Sequence, residues 1–145
     1  HAPTNELRSA MMPVNDAYPV ERLIRACRAY RETTGRRVSF EYSMVNGVND
    51  SPETARRLAR LLAGMDAHVN LIPINPVDGS PYSASDAANI RRFQTMLTQL
   101  GVNATVRRRL GADISAACGQ LRRDDAGPAA AETPERPRGE FSQNA

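Results

Sequence analysis

The chain has no lysine, no tryptophan and two cysteines among its 145 residues. Nor does it have an apolar run near the roughly 18–20 residues that a membrane-spanning helix needs. Each absence excludes something. Two distant cysteines, Cys27 and Cys118, rule out the disulfide framework of small secreted domains and favour a reducing compartment. The first residues show no charged-then-apolar leader, so a cytoplasmic protein without a membrane partner is expected. Without lysine, the basic set is all arginine. Residues 1–123 hold 17 Arg against 11 acids, a net of +6, and residues 124–145 hold 2 against 5, a net of −3. The planar guanidinium fork suits phosphate, although codon usage in a GC-rich genome produces the same bias. On either account a basic face attracts a polyanion.

What is present reads as one domain. Hydrophobic residues make up 41% and charged residues 24%, as in soluble α/β or α-rich proteins. The opening "HAPTNELRSAMMPVNDAYP" is turn-rich and too punctuated for a long element. "VERLIRACRAYRETTG" places Val20, Leu23, Ile24, Cys27 and Tyr30 on one helical face, with Gly35 as a stop. "RRVSFEYSMVNG" alternates Val38, Phe40, Tyr42 and Met44 with polar residues, a strand pattern. Ser51 and Pro52 predict the start of a second helix with apolar face Ala55, Leu58, Ala59 and Leu62, closed by Gly64. "HVNLIPIN" is nearly all apolar, which predicts a parallel strand buried on both faces. A third helix carries Ile90, Phe93, Leu97 and Leu100 up to Gly101, and "NATVRRR" reads as a third strand. The alternation implies parallel crossovers, and residues 123–145 read as a disordered tail behind a domain of residues 1–122.

In parallel α/β folds, sites form at the carboxyl ends of strands. Three loops fall there: "NGVND", "NPVDGSPY" and "LGADISAACGQL". Three parallel strands alone expose two edges and an apolar lumen. The chain is therefore expected to dimerise or, since it opens at His1, to be the C-terminal part of a larger barrel with a further strand upstream.

Two readings stand for Cys118. A small thiol can fill a tight gap, or, set among Ala116, Ala117 and Gly119 on a loop above a strand end, it can reach a substrate as a nucleophile. Cys27, in phase on a helix, reads as core. His1 and His68 lack metal-ligand spacing, and neither CxxxCxxC nor HxxxH occurs. Asn75 at a strand end orients a ligand or serves a turn. Arg107–Arg109 holds phosphate or is solvated surface, with strand alternation sending Arg108 opposite its neighbours. Glu41 faces a polar lumen or solvent, because a buried, unpaired carboxylate is costly.

Four blocks, "HAPTNELRSAMMPVN", "RRVSFEYSMVNGVNDSP", "HVNLIPINPVDGSPY" and "GADISAACGQL", together resemble the RlmN/Cfr radical S-adenosylmethionine methyltransferases over residues 1 to about 122. The resemblance implies part of a partial (β/α) barrel, an α/β fold with parallel strands and flanking helices. It implies methylation of adenine in ribosomal RNA and tRNA, at carbon 2 for the RlmN branch and carbon 8 for Cfr. It implies that Cys118 accepts a methyl group as S-methylcysteine, and that His1 and Asn75 contact S-adenosylmethionine. A four-iron four-sulfur cluster, an electron donor such as flavodoxin, a resolving cysteine with its disulfide bond, and a monomeric full-length enzyme come with it. In that chemistry one S-adenosylmethionine methylates the cysteine and a second, reductively cleaved, makes the methyl a radical that adds to adenine.

The sequence departs from the family in lacking the cluster cysteines and the resolving cysteine, a position Cys27 does not occupy, and in having Ala112 and Ser115 where acids are common. Alone, the chain is expected to be inactive. The expectation is the C-terminal half of the barrel of an RlmN-branch enzyme. A Cfr-like enzyme and a non-catalytic nucleotide- or RNA-binding remnant are the alternatives.

Overall fold

Three parallel strands and five helices make up residues 1–75 and 79–107, the residues described by this computed structural model. Residues 76–78 and 108–145 lie outside that description, and with them Cys118, Arg108, Arg109, the 122/123 boundary and the expected tail.

The first segment is more ordered than its punctuation predicts. Thr4 accepts a hydrogen bond from the Leu7 amide at 3.4 Å and starts α1 (Asn5–Met11), and a single turn, α2 (Val14–Ala17), follows Pro13. Side chains inside the segment supply what local propensity lacks. The buried Arg8 guanidinium donates to Asn15 Oδ1 at 2.7 Å and to the Tyr18 carbonyl at 2.8 Å. Asn15, also buried, donates to Ser9 Oγ and to the Asn5 carbonyl. Asn5 Oδ1 in turn accepts from the Val20 amide at 2.9 Å. That bond satisfies an orphan donor of α3 (Val20–Thr34), whose N-cap, Pro19, has no side-chain acceptor.

Helix α3 stops at Gly35, as predicted, with φ 67° in the left-handed region. Its buried stripe is narrower than the apolar pattern implies. Val20 and Ile24 are buried and Cys27 half-buried, but Leu23 and Tyr30 remain 38% and 47% exposed. The helix flanks a sheet of three strands, so a single row of side chains reaches the core.

Strand β1 (Val38–Met44) leads through a tight loop to α4 (Pro52–Leu62). Ser51 caps α4 by accepting from the Thr54 amide at 3.1 Å, and Ala55, Leu58, Ala59 and Leu62 are buried as expected. Arg28 of α3 donates to the Leu61 and Ala63 carbonyls at the other end of α4. Strand β2 (Ala67–Pro73) is followed by α5 (Ala87–Gln99), capped by Asp86, and β3 (Asn103–Val106) completes the sheet in the order β1-β2-β3. Leu100, expected on the buried face of α5, is 50% exposed. The chain reverses at Gly101, φ 81°, and Val102 takes the core position instead.

Register fixes the two faces. Val38, Phe40, Tyr42 and Met44 pair with Ala67, Val69, Leu71 and Pro73, and Val69 and Leu71 with Ala104 and Val106. This face meets Val20, Ile24, Ala55, Leu58, Leu62, Ile90, Phe93 and Leu97 in one core. The Tyr42 and Phe93 rings lie 5.4 Å apart, centroid to centroid. The opposite face corrects two expectations. It is mostly polar, and β2 is not buried on both sides: Ser39, Glu41, Ser43, His68, Asn70, Asn103 and Thr105 line it with the aliphatic Ile72, each exposed or half-buried. The apolar letters of "HVNLIPIN" conceal a period of two in which the hidden positions are Val69 and Leu71.

Candidate functional site

The carboxyl end of β1 is built around two buried polar side chains from the "NGVND" loop. Asn49, fully buried, accepts at Oδ1 from the Val45 amide at 2.8 Å. Its Nδ2 donates to the Ser43 carbonyl at 2.6 Å and to the His1 carbonyl at 2.8 Å. The Asn49 carbonyl accepts from the Tyr42 hydroxyl at 2.7 Å. Burial, and then the charge of Asp50, push the Tyr42 ionisation far up, so this phenol is a fixed donor.

Asp50 organises the other side of the loop. One oxygen accepts from the Gly47 amide at 3.0 Å, where Gly47 sits at φ 66° and allows the chain to turn. The other accepts from Ser85 Oγ and Asn89 Nδ2, both at 2.7 Å. Asp50 thereby ties the loop after β1 to the start of α5. Asn46 N–H to the Ser83 carbonyl, at 2.9 Å, and a Val45–Ala84 bridge lie alongside.

His1 is set on this scaffold. Its Nδ1 accepts from the Ser43 amide at 2.9 Å, beside the end of β1. Asn75 is exposed two residues past Pro73, the β2 residue paired with Met44. His1 and Asn75 therefore share the carboxyl end of two adjacent parallel strands, the end at which the sequence located the site. Cys118 lies outside the described residues.

The remaining candidates stand elsewhere. Cys27 is a free, half-buried thiol on α3, its ionisation pushed up by burial. His68 hydrogen-bonds Thr105 Oγ1 at 3.0 Å on the open face of the sheet. Glu41 is exposed there and accepts from Asn70 Nδ2 at 3.2 Å with both oxygens. Arg107 is exposed and closes the ladder through its amide to the Leu71 carbonyl, 2.8 Å. Among the described residues, no three His, Cys, Asp or Glu side chains gather as metal ligands. An iron–sulfur cluster held by three cysteines does not fit a chain that has two.

Sequence reading missed the roles of Asn49 and Asp50. Its one usable signal was two consecutive Asn/Asp residues before a Ser-Pro helix start, which reads equally well as an ordinary turn.

Comparison with known proteins decides the relationship. Over 123 residues, 85% of this chain and 39% of the relative, it is 58% identical to "Probable dual-specificity RNA methyltransferase RlmN" of Desulforudis audaxviator. The likewise described protein of Moorella thermoacetica is 55% identical over 122 residues, 84% of this chain and 34% of that one. The chain is homologous to a segment of the RlmN methyltransferases. It spans between a third and two-fifths of the length of these RlmN relatives. A radical SAM methyltransferase from Sphaerobacter thermophilus superposes with TM-score 0.80 at 52% identity, covering 83% of this chain and 35% of that one. A domain of pyruvate-formate lyase-activating enzyme from Bacteroides vulgatus has TM-score 0.56 at 16% identity, over 72% of this chain and 61% of that one, a likeness of fold alone. No family model matches the chain. The α/β arrangement of three parallel strands and flanking helices is thus part of a radical SAM enzyme fold, as the RlmN/Cfr resemblance implied.

Proposed function

We propose that this chain is the part of an RlmN-type enzyme that carries the methyl-accepting cysteine and one wall of the S-adenosylmethionine site. The enzyme methylates carbon 2 of adenine in ribosomal RNA and tRNA in the cytoplasm. The observation that carries the reading is 58% identity to a named RNA methyltransferase across a segment whose His1 and Asn75 share one strand-end edge. S-adenosylmethionine presents a carboxylate, a diol and a purine, all of which hydrogen-bond. An imidazole and a primary amide at one edge, exposed or half-buried, match that chemistry. Bound there, it supplies an electrophilic methyl group.

His1 and Asn75 bind and orient, while Asn49, bonded to the His1 carbonyl, holds His1 so that it loses little freedom on binding. Cys118 is the nucleophile: its thiolate sulfur forms a bond to the methyl carbon, the methyl–sulfonium bond breaks, and the thiol proton leaves to solvent. With two cysteines, the chain cannot hold the cluster, whose ligands would come from elsewhere in the enzyme.

The test uses a full-length enzyme bearing this segment, expressed with iron, sulfide and S-adenosylmethionine. Peptide mass spectrometry is expected to find Cys118 one methyl heavier, and Cys118→Ala to abolish RNA methylation. Product RNA accumulating over unmodified Cys118 would sink the carrier role. A methyl mapped to carbon 8 would move the chain to the Cfr branch.

A further inference from the structure

The hydrogen bond between Ser43 and His1 carries chemical information beyond position. A backbone amide can only donate, so the His1 Nδ1 that receives it at 2.9 Å presents its lone pair. A neutral imidazole with an acceptor at Nδ1 has its proton on Nε2, and an imidazolium has no acceptor at all. Nε2 finds no partner among the described residues. We infer that His1 is held as the neutral Nε2–H tautomer and meets its ligand as a hydrogen-bond donor, with Asn49 as the residue that positions it.

This rests on the proposed contact between His1 and S-adenosylmethionine and specifies its polarity. The ligand atom facing Nε2 is an acceptor, a carboxylate oxygen, a hydroxyl or a ring nitrogen, and never an ammonium. His1 is accordingly not a base in this site.

Asn49 is the positioning residue because its own orientation is forced. Oδ1 faces the Val45 N–H, and Nδ2 faces the carbonyls of Ser43 and His1. Flipping the amide would set donor against donor and oxygen against two oxygens. One buried side chain therefore holds both residues of the tautomer-setting bond by their carbonyls, Ser43 and His1. The Tyr42 hydroxyl, bound to the Asn49 carbonyl, fixes the loop from below.

The decisive measurement is made on the wild-type fold: long-range proton–nitrogen correlation of the imidazole rings in the 15N-labelled full-length enzyme, with the His1 signals assigned by their absence from the spectrum of His1→Gln. The expected spectrum has Nδ1 in the unprotonated range and Nε2 in the protonated range. The reverse assignment, or one averaged signal, overturns the tautomer.

Ligand polarity is read from S-adenosylmethionine affinity by equilibrium dialysis. Gln sets an amide N–H where Nε2–H stands, so His1→Gln is expected to bind within about 3-fold of wild type and His1→Ala about 10-fold or more weakly. Glutamine as weak as alanine overturns the donor role. Alanine as tight as wild type removes the contact itself, while methylation of Cys118 separately tests the wider functional reading. For Asn49, Asn49→Asp keeps the acceptor for Val45 and removes both donors. Its expected effect is a shift of the His1 signals toward a tautomer mixture, together with weaker binding. A lowered melting temperature with unchanged His1 signals would mark Asn49 as structural only.

Discussion

A thiol acts as a nucleophile only as thiolate, so the surroundings of each cysteine decide its use. Cys27 sits half-buried on α3, and burial disfavours its charged form. Its alkylation by iodoacetamide, followed by peptide mass spectrometry, is expected to keep accelerating above the ordinary thiol range near pH ~8.5. A rate that levels off at that pH would show a solvated thiol. The folded state keeps the proton to higher pH than the unfolded chain does, so this contribution to stability is present below the unfolded thiol's pKa. It is lost as pH climbs into the raised range. Cys27→Ala is expected to cost about 1–2 kcal/mol, a packing loss without loss of catalysis. The helical phase of Cys27 was legible in the sequence. That Asn49 goes inside while Asn46, three residues earlier, stays exposed was not, because both read as turn residues and only the converging groups of Val45, Ser43 and His1 tell them apart.

Elements were legible where a cap and a period agreed. Ser51, Pro52 and the spacing of Ala55, Leu58, Ala59 and Leu62 all specify α4, and the helix forms as read. Its cap contributes measurably: Ser51→Ala leaves the Thr54 amide without its 3.1 Å acceptor and is expected to destabilise by about 1 kcal/mol. Ser51→Asp should be nearly neutral, since it keeps an acceptor at a helix N-terminus. Urea denaturation of the two variants checks this, and equal losses would assign the effect to something other than capping. Legibility failed where signals disagreed. Leu100 continues the period of α5, but the turn at Gly101 follows immediately, and Val102 is buried in its place. In the first segment, turn residues concealed two short helices held by Arg8, Asn5 and Asn15, contacts that link residues far apart in sequence.

At the scale of the molecule the sheet is two-sided in chemistry. Helices cover one face, and the other keeps a hydrogen-bonded row in which Glu41 and Asn70 pair at 3.2 Å and His68 meets Thr105 at 3.0 Å. An apolar run such as "HVNLIPIN" cannot report this, because hydrophobicity alone does not separate one covered face from two. The stability of neighbouring positions on β2 can. Leu71 is fully buried among residues of the core, and truncating it leaves a cavity, so Leu71→Ala is expected to cost about 2–5 kcal/mol. Asn70, one residue away and half-buried on the open face, loses only exposed contacts in Asn70→Ala, its Nδ2 shared by both Glu41 oxygens and a long bond from Thr105, at a cost below about 1 kcal/mol. Denaturation midpoints of the two variants read the difference directly. Comparable losses would mean that both faces are packed, and the reading of β2 as covered on one side only would have to be abandoned.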